Sequence, residues 1–223
     1  MTSPTMTSES TPTHRRDRRL RWRLERFGFL VAVALGLCPS AFAADLQEAE
    51  KLFRTGRYDE CVRLVDDEIG GNGWGEPWRH LKIKAELATG KYDEAKTSLE
   101  GALRRFPASI SLRLLGYDVY RRSGHDEDAA EALNEIDRLI QNGARRYSTE
   151  DGVVAMGQFF LLRGEDARKV LDRCYDVVTK QRPQFLEAYY ATAELALGKE
   201  DGAVAAETLR KAPKTAIEDP RFH

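Results

Sequence analysis

Three short stretches of this sequence share one pattern: Gly56-Arg-Tyr-Asp-Glu-Cys61, Gly90-Lys-Tyr-Asp-Glu-Ala95 and Gly124-His-Asp-Glu-Asp-Ala129. Each stretch begins with a glycine, continues through neighbouring acidic residues and ends with a small residue. Successive copies start 34 residues apart. A fixed period of this length predicts a repeat architecture in which every unit is one supersecondary element.

The pattern predicts that each unit consists of two antiparallel helices, which we call helix A and helix B. The glycine lies at the end of helix A, where the chain needs a left-handed conformation to turn back. The acidic residues fall in the first turn of helix B, where negative charge suits the helix dipole. The small residue, such as Cys61 or Ala95, lies where helix B crosses helix A closely, so a larger side chain would push the helices apart.

This combination resembles the tetratricopeptide-repeat family over residues 44–213. The resemblance implies an all-α fold, namely a right-handed superhelical solenoid of about five helix-turn-helix units. We expect those units at about residues 44–75, 76–109, 110–147, 148–184 and 185–213. Residues 214–223 would then be the start of a truncated further repeat, or a tail.

The fourth and fifth units depart from the pattern. Gly164 follows Gly124 by 40 residues, so the connection between these units is extended. The next small residue, Ala167, comes two positions early. A capping box is expected over residues 148–151, at the start of the fourth helix A. The fifth turn, over residues 198–202, lacks the repeated motif, so its register is not fixed by the sequence.

Composition excludes several protein classes. The chain has 223 residues, of which 42% are hydrophobic, and a formal net charge of −1. The apolar content is too high for an intrinsically disordered chain. Three cysteines are too few for a disulfide scaffold. The near-zero charge also conceals an asymmetry, because residues 1–43 carry +4 and the remainder carries −5.

Residues 1–43 are typical of a secretory signal peptide. A basic region over residues 1–26 holds seven arginines, and an apolar region follows over residues 27–40. Ala41-Phe-Ala43 then provides small residues at the spacing of a cleavage site, so we expect cleavage after Ala43. The protein would therefore be exported across the cytoplasmic membrane and be periplasmic or secreted.

Two alternatives for this segment remain open. Residues 27–44 are just long enough to stay in the membrane as an uncleaved anchor, although Pro39 and the small residues favour cleavage. Arginine pairs at residues 15–16 and 18–19 leave a second alternative open, namely export by the twin-arginine route instead of the general secretory route.

The sequence contains no recognisable catalytic, cofactor or metal motif. No two of its four histidines form a His-Glu-x-x-His motif, and there is no Walker A loop. The glycine-rich residues 70–75 follow a helix instead of a strand, which argues against a phosphate-binding loop. Cys61 is interpreted as a buried core thiol. We therefore expect a protein that is not an enzyme and that binds no cofactor or metal.

The family resemblance implies a concave surface, built from helices A, that binds a protein or a peptide. The negative charge of the body argues against nucleic acid, which favours a basic face. Contact with a membrane is expected only through an uncleaved signal segment. The candidate groove residues are Glu50, Arg54, His80, Lys84, Asp118, Arg121, Arg122, Gln158, Tyr190 and Glu194. Leu46, Glu50, His80 and Lys84 stand where some relatives grip a peptide carboxylate with Lys, Asn and Arg, and so argue against that clamp.

A second functional hypothesis comes from the same resemblance. The signal segment, the first repeat and the stretches 170–176 and 187–191 are similar to the start of some large exported bacterial tetratricopeptide proteins. Some of those proteins carry a zinc-peptidase-like domain much further along the chain. In this alternative the chain is the N-terminal scaffold portion of a larger exported enzyme whose metallopeptidase-like catalytic domain is absent here.

Overall fold

The computed structural model describes residues 39–71, 75–143 and 149–214, with side chains from Asp45 onward. The chain divides into two units, residues 1–45 and 46–223, and the packing given below is that of the second. The described elements are all helical. They are α1 (Pro39–Arg54), α2 (Tyr58–Gly70), α3 (Glu76–Ala88), α4 (Tyr92–Arg105), α5 (Ile110–Arg122), α6 (Asp126–Gln141), α7 (Glu150–Leu162), α8 (Ala167–Val170), a π-helical turn (Leu171–Tyr175), α9 (Asp176–Gln181), α10 (Leu186–Leu197) and α11 (Gly202–Lys211).

These helices form successive A–B pairs, as the repeat predicts. Helices A are α1, α3, α5, α7 and α10, and the fourth helix B is built from α8, the π-helical turn and α9. Each apolar cluster joins one pair to the next. Val65 packs with Trp78, Leu99 with Leu112, Ile136 with Phe159, and Tyr175 with Ala188. The core is therefore a row of joints between neighbouring pairs, which is how a repeat array buries its apolar faces.

The repeated glycines close the A–B turns in the predicted left-handed conformation. Their φ angles are +76° at Gly56, +74° at Gly90, +75° at Gly124 and +83° at Gly164. In each turn the N–H of the following residue donates to the carbonyl five residues earlier, for example from Arg57 to Leu52 at 2.9 Å. This bond satisfies a carbonyl at the helix end that has no partner within the helix.

The fifth turn has the same geometry with a glutamate in place of the glycine. Glu200 has φ +60°, and the N–H of Asp201 donates to the carbonyl of Ala196 at 2.9 Å. Glu200 is therefore the structural equivalent of Gly56, Gly90 and Gly124. This assignment fixes the register of the fifth unit, which the sequence left open.

We expect Glu200→Gly to raise the free energy of unfolding by about 1 kcal/mol. A side chain with a Cβ costs about 1–2 kcal/mol in the left-handed region, and the extra chain entropy of glycine offsets part of that gain. The measurement is urea unfolding of the full chain. Glu207→Gly is the matched control, since Glu207 is exposed within α11 and glycine there should cost about 1 kcal/mol. Equal effects of the two substitutions would contradict the strain at Glu200.

Small residues lie at the A–B crossings of the regular pairs. Cys61, Ala95, Ala129 and Ala205 are each at most 3% exposed, and each lies in the first turn of its helix B. The predicted core position of Cys61 is confirmed, and burial raises the pKa of its thiol to about 11. A thiol in this environment is inert packing volume.

The fourth helix B departs from the regular form. In the first three pairs helix B begins two residues after the glycine, whereas α8 begins three residues after Gly164. Asp166 caps α8 by accepting from the N–H groups of Arg168 and Lys169. The buried residue near the crossing is Val170, and the early small residue Ala167 is only half-buried. The π-helical turn that follows points both Cys174 and Tyr175 inward, each 1% exposed.

A hydroxyl cap marks the start of α7, one residue later than expected. Thr149 accepts from the N–H of Gly152 at 3.3 Å and is the N-cap of this helix. The expected capping box began at Ser148, which lies outside the described residues. The interaction at Thr149 satisfies one of the N–H groups that lack a partner in the first turn of a helix.

A buried carboxylate lies between α3 and α4. Glu86 is 4% exposed and accepts from the hydroxyl of Ser98 at 3.1 Å, with the ammonium of Lys82 at 3.7 Å. Burial raises the pKa of Glu86 above its ordinary value, while Ser98 and Lys82 oppose that rise. Ser98 is therefore half-buried on α4 although it is polar, because its hydroxyl has an acidic partner there.

The signal-peptide predictions fall almost entirely outside the described residues. Residues 1–38 carry the basic region and most of the apolar region, and the proposed cleavage point after Ala43 falls within α1. The possible tail or further repeat at residues 215–223 is also outside the described part. Among the described helices, none has both the length and the apolar character needed to cross a membrane.

Candidate functional site

The five A–B turns place the candidate residues in rows across successive helices A. Counting back from each turn residue with positive φ, the residues six positions earlier form what we call the central row. The central row is Glu50, Lys84, Asp118, Gln158 and Glu194. Residues three or four positions from these share the same helix face, because an α-helix repeats every 3.6 residues. His80 and Tyr190 precede the central row by four positions, while Arg54 and Arg122 follow it by four.

All ten predicted groove residues reach solvent to some degree. Asp118, Arg121, Arg122 and Glu194 are exposed, and the other six are half-buried. Their side chains already interact with neighbours on the same face. Arg54 pairs with Glu50 at 3.5 Å, and the ammonium of Lys84 lies 5.9 Å from the centre of the Phe53 ring in the preceding pair. Arg121 donates to the hydroxyl of Tyr117 at 3.0 Å.

The surrounding protein depresses the basicity of His80. Burial lowers the pKa of this imidazole to about 3, and the nearby ammonium of Lys84 contributes to that fall. His80 is therefore neutral at physiological pH and offers a hydrogen-bonding ring without a charge. Asp118 is exposed, but the protein around it removes part of its hydration and so raises the pKa of its carboxyl, while Arg122 and Arg121 oppose that rise.

Asp151 is a further acidic residue of this face, which sequence reasoning did not assign to the groove. It lies in the first turn of α7, thirteen positions before Gly164, and Glu187 holds the equivalent place before Glu200. Although Asp151 is exposed, partial loss of hydration against the surrounding protein raises the pKa of its carboxyl to about 6. The carboxylates of Glu187, Glu50 and Glu76 add to that rise, and Lys84 opposes it. Charged groups from several helices A therefore act on one another across this face.

We expect Asp151→Asn to stabilise the fold near neutral pH and to have less effect in acid. A carboxyl whose folded pKa is raised disfavours the folded state above that pKa, and the penalty disappears as protonation proceeds from about pH 6 towards pH 4. Because Asp151 is partly exposed, the gain will be modest. The measurement is the Tm difference from wild type at about pH 7.5 and about pH 4.5.

Glu100→Gln, which neutralises an exposed carboxylate on α4, is the control for Asp151→Asn. A gain for Asp151→Asn that is the same at both pH values would contradict the raised pKa of Asp151.

A cavity of about 480 Å³ opens between the fourth and fifth pairs. Two residues of the central row, Gln158 and Glu194, line it together with Leu161, Glu165, Ala191 and Tyr175. The neighbouring helix-A ends also carry two exposed leucines, Leu162 and Leu197, which are 52% and 58% exposed. The structure thus brings Gln158 and Glu194 together at one concave site.

Sequence reasoning did not find this cavity. The cavity lies where α8 starts late and Tyr175 turns inward, and no pattern in the sequence predicts either feature. The misplaced small residue, Ala167, was the only signal, because it showed that the fourth A–B crossing is irregular. Within the described residues no group of three or more His, Cys, Asp or Glu side chains is arranged to hold a metal ion.

Comparisons with known proteins identify the repeat. The tetratricopeptide-repeat family matches residues 80–144, which is less than a third of the chain. The chain is also similar to a thermophilic tetratricopeptide-repeat protein, TTC0263 of Thermus thermophilus, at 18% identity and a TM-score of 0.50. That alignment covers 81% of this chain and 96% of the other. No curated protein matches the chain significantly.

Two further solved structures are more distant. MamA is 17% identical, with a TM-score of 0.39 and coverage of 73% of this chain and 91% of MamA. YrrB, described as a tetratricopeptide-repeat protein with an unusual peptide-binding site, is 19% identical with a TM-score of 0.39. Its alignment covers 79% of this chain and 85% of YrrB.

Proposed function

We propose that the chain is an exported, non-catalytic tetratricopeptide-repeat scaffold that binds a protein or peptide on its helix-A face, because residues 80–144 match that family and the described helices form successive A–B pairs. The observation that carries this proposal is the cavity between the fourth and fifth pairs, together with the exposed Leu162 and Leu197, which lie four and three residues after the lining residues Gln158 and Glu194 and so share their helix faces. Large exposed apolar side chains next to a concave, partly polar site are typical of surfaces that bind partners.

The charges on this face favour a protein partner over nucleic acid. Glu50, Asp151 and Glu187 act on one another across several helices A, and Glu194 continues the acidic character at the cavity. The same face also carries the cations Arg54, Lys84, Arg121 and Arg122, so its charge is mixed and it lacks the basic excess that nucleic-acid sites have. A polypeptide can offer complementary cations and apolar groups together.

Site-specific photocrosslinking tests the binding surface. A photoreactive amino acid is placed at Lys84, Gln158 or Tyr190 on the helix-A face of the full chain in its native host. Matched positions at Ala130 and Glu207 lie exposed on helices B. We expect discrete protein adducts from the helix-A positions and none from the helix-B controls. Adducts from helix B alone, or from neither set, would contradict a helix-A binding face.

Export is a separate part of the proposal. The basic residues 1–26, the apolar residues 27–40 and Ala41-Phe-Ala43 support it, because this order directs a chain into the membrane and then offers a cleavage site. The test is fractionation of the native host followed by N-terminal sequencing. A mature chain beginning at Ala44 outside the cytoplasm is expected. An intact N-terminus in the cytoplasm would contradict export, and one in the membrane fraction would identify an uncleaved anchor.

A further inference from the structure

We propose that the last turn of α11 is a docking surface for the chain's own residues 219–223, with the side chain of Phe222 seated against Leu209. Residues 219–223 lie outside the described part of the chain, and their register is set by Glu200, the turn residue that the structure identified. This surface lies on a helix B, so its occupation is independent of the binding function proposed for the helix-A face.

The docking surface, which we call the end surface, is apolar and incompletely covered. It consists of three half-buried residues at the last turn of α11 and just after it: Leu209, Ala212 and Pro213. In the first two pairs the residue nine positions after the turn glycine is Val65 or Leu99, and each of these is 0% exposed. Leu209 lies nine positions after Glu200 and so has the same place on its helix B, but it keeps exposed apolar area that a further group can cover.

A large apolar side chain of the next helix A covers this place in the first two joints. Trp78 lies 22 residues after the glycine of the preceding turn and belongs to the same buried cluster as Val65. Leu112 also lies 22 residues after the preceding turn glycine and belongs to the cluster of Leu99. Trp78 is 5% exposed and Leu112 is 0% exposed. Each regular joint is therefore completed by a bulky apolar residue at one fixed count.

The same count, taken from the fifth turn residue, selects three residues suited to begin a helix A. In the first two joints the N-caps are Gly75 and Ser109, 19 residues after the turn glycine, and the helix begins at the next residue. In the fifth pair these counts fall on Asp219 and Pro220, and the count of 22 falls on Phe222. Aspartate is favoured as an N-cap, and proline is favoured at the first helical position.

The regular count applies to the fifth pair because α11 begins two residues after its turn residue, as α2 and α4 do. The chain is also long enough to return to the end surface. The connection over residues 212–218 has seven residues, whereas the connections 71–75 and 106–109 have five and four. Seven extended residues span up to about 23 Å. Phe222 can therefore reach Leu209 although α11 ends at Lys211, earlier in its pair than α2 or α4.

The other end of the array does not offer a competing occupant from a second copy. Leu81 and Ala85 of α3 belong to the cluster that joins α3 to the preceding pair. At the equivalent positions α1 carries Gln47 and Lys51, and both are exposed. A second copy that placed α1 on the end surface would bury these polar groups without matching apolar surface. Residues 219–223 provide the apolar side chain that the end surface lacks.

A cysteine at Leu209 reports whether the end surface is covered. In the full chain, Leu209→Cys should react with a thiol reagent about tenfold more slowly than the same variant that also carries Phe222→Ala, because docking shields the sulfur. Val204→Cys, at a position 43% exposed in the first turn of α11, is the control and should react equally fast with and without Phe222→Ala. The wild-type chain gives the background reaction of the native cysteines. Equal rates for Leu209→Cys with and without Phe222→Ala would overturn the proposal.

Hydrogen exchange provides a second measurement that leaves α11 unchanged. We expect Phe222→Ala to speed amide exchange about tenfold at residues 208–211 and to leave α4 as in wild type, since only the last joint is opened. Ile217→Ala truncates an apolar side chain within the connection and is the matched control, so its exchange should equal that of wild type. If Phe222→Ala exchanges like Ile217→Ala, the docking of Phe222 is wrong.

Concentration distinguishes the chain's own residues from other occupants. Protection of Leu209→Cys should stay the same over about a hundredfold range of protein concentration, because docking within one chain is intramolecular. Protection that is lost on dilution, together with a dimer in sedimentation, would make a second copy the occupant and overturn the proposal. A photoreactive amino acid at Leu209 that forms adducts with another protein in the native host would overturn it as well. Neither result changes crosslinking from Lys84, which tests the helix-A face separately.

Discussion

Gly157→Ala will lower the free energy of unfolding by about 1–3 kcal/mol, because the packed side chains around Gly157 leave no room for the new methyl group. A Cβ built on Gly157 would lie 2.4 Å from Cε1 of the Tyr175 ring, 3.0 Å from Cζ and 3.2 Å from the Cβ of Cys174. The Tyr175 ring is fully buried and belongs to the π-helical turn, so it cannot swing away without moving that turn. We expect a clear fall in Tm and in the urea midpoint.

Gly202→Ala is the matched control for this substitution. Gly202 is the first residue of α11, and a Cβ there would meet nothing within 4 Å. Alanine should stabilise this helix by up to about 1 kcal/mol, since glycine has the lower helix propensity. If Gly157→Ala were as harmless as Gly202→Ala, the close packing of α7 against Tyr175 would be refuted.

Leu99→Ala will cost about 2–5 kcal/mol of stability, the usual range for truncating a buried leucine. Leu99 is 0% exposed and belongs to the cluster that joins the second pair to the third, together with Leu112 and Val119. Its Cδ2 lies 3.2 Å from where a Cβ on Gly116 would stand, so this joint is tightly filled. Removal of three carbon atoms therefore leaves a cavity that the neighbouring helices can close only in part.

The comparison with an exposed leucine isolates the effect of burial. Leu197→Ala removes the same atoms from a side chain that is 58% exposed, and we expect a change of less than about 0.5 kcal/mol. Urea unfolding of both variants provides the measurement. Hydrogen exchange of Leu99→Ala should show the greatest loss of protection in α4 and α5, because each joint of a repeat array couples mainly its neighbours. Similar costs for Leu99→Ala and Leu197→Ala would contradict the buried joint.

The sequence by itself determined the helix pairs and their turns. Glycine at residues 56, 90 and 124 specifies a left-handed turn locally, since no other residue type adopts a positive φ at so low a cost in free energy. Small residues such as Cys61 and Ala95 mark the close crossings for a steric reason that also acts over a few residues. The period of 34 residues then predicted the solenoid, because a short pair must bury its apolar face against the next one. The ten candidate groove residues followed from the same register and still stand as predictions.

Only the tertiary structure decided the features that break the repeat. Glu200 takes the left-handed position although its residue type opposes it, and the packing of α10 and α11 outweighs that local cost. The inward turn of Tyr175 against Gly157, the pocket beside it and the raised pKa of Asp151 depend on residues far apart in the chain. These three features arise from steric and electrostatic contacts between different helix pairs. A local residue pattern cannot predict such contacts. The regular helix pairs of this protein can therefore be predicted from its sequence. Its candidate binding cavity forms only when the fourth and fifth helix pairs pack together.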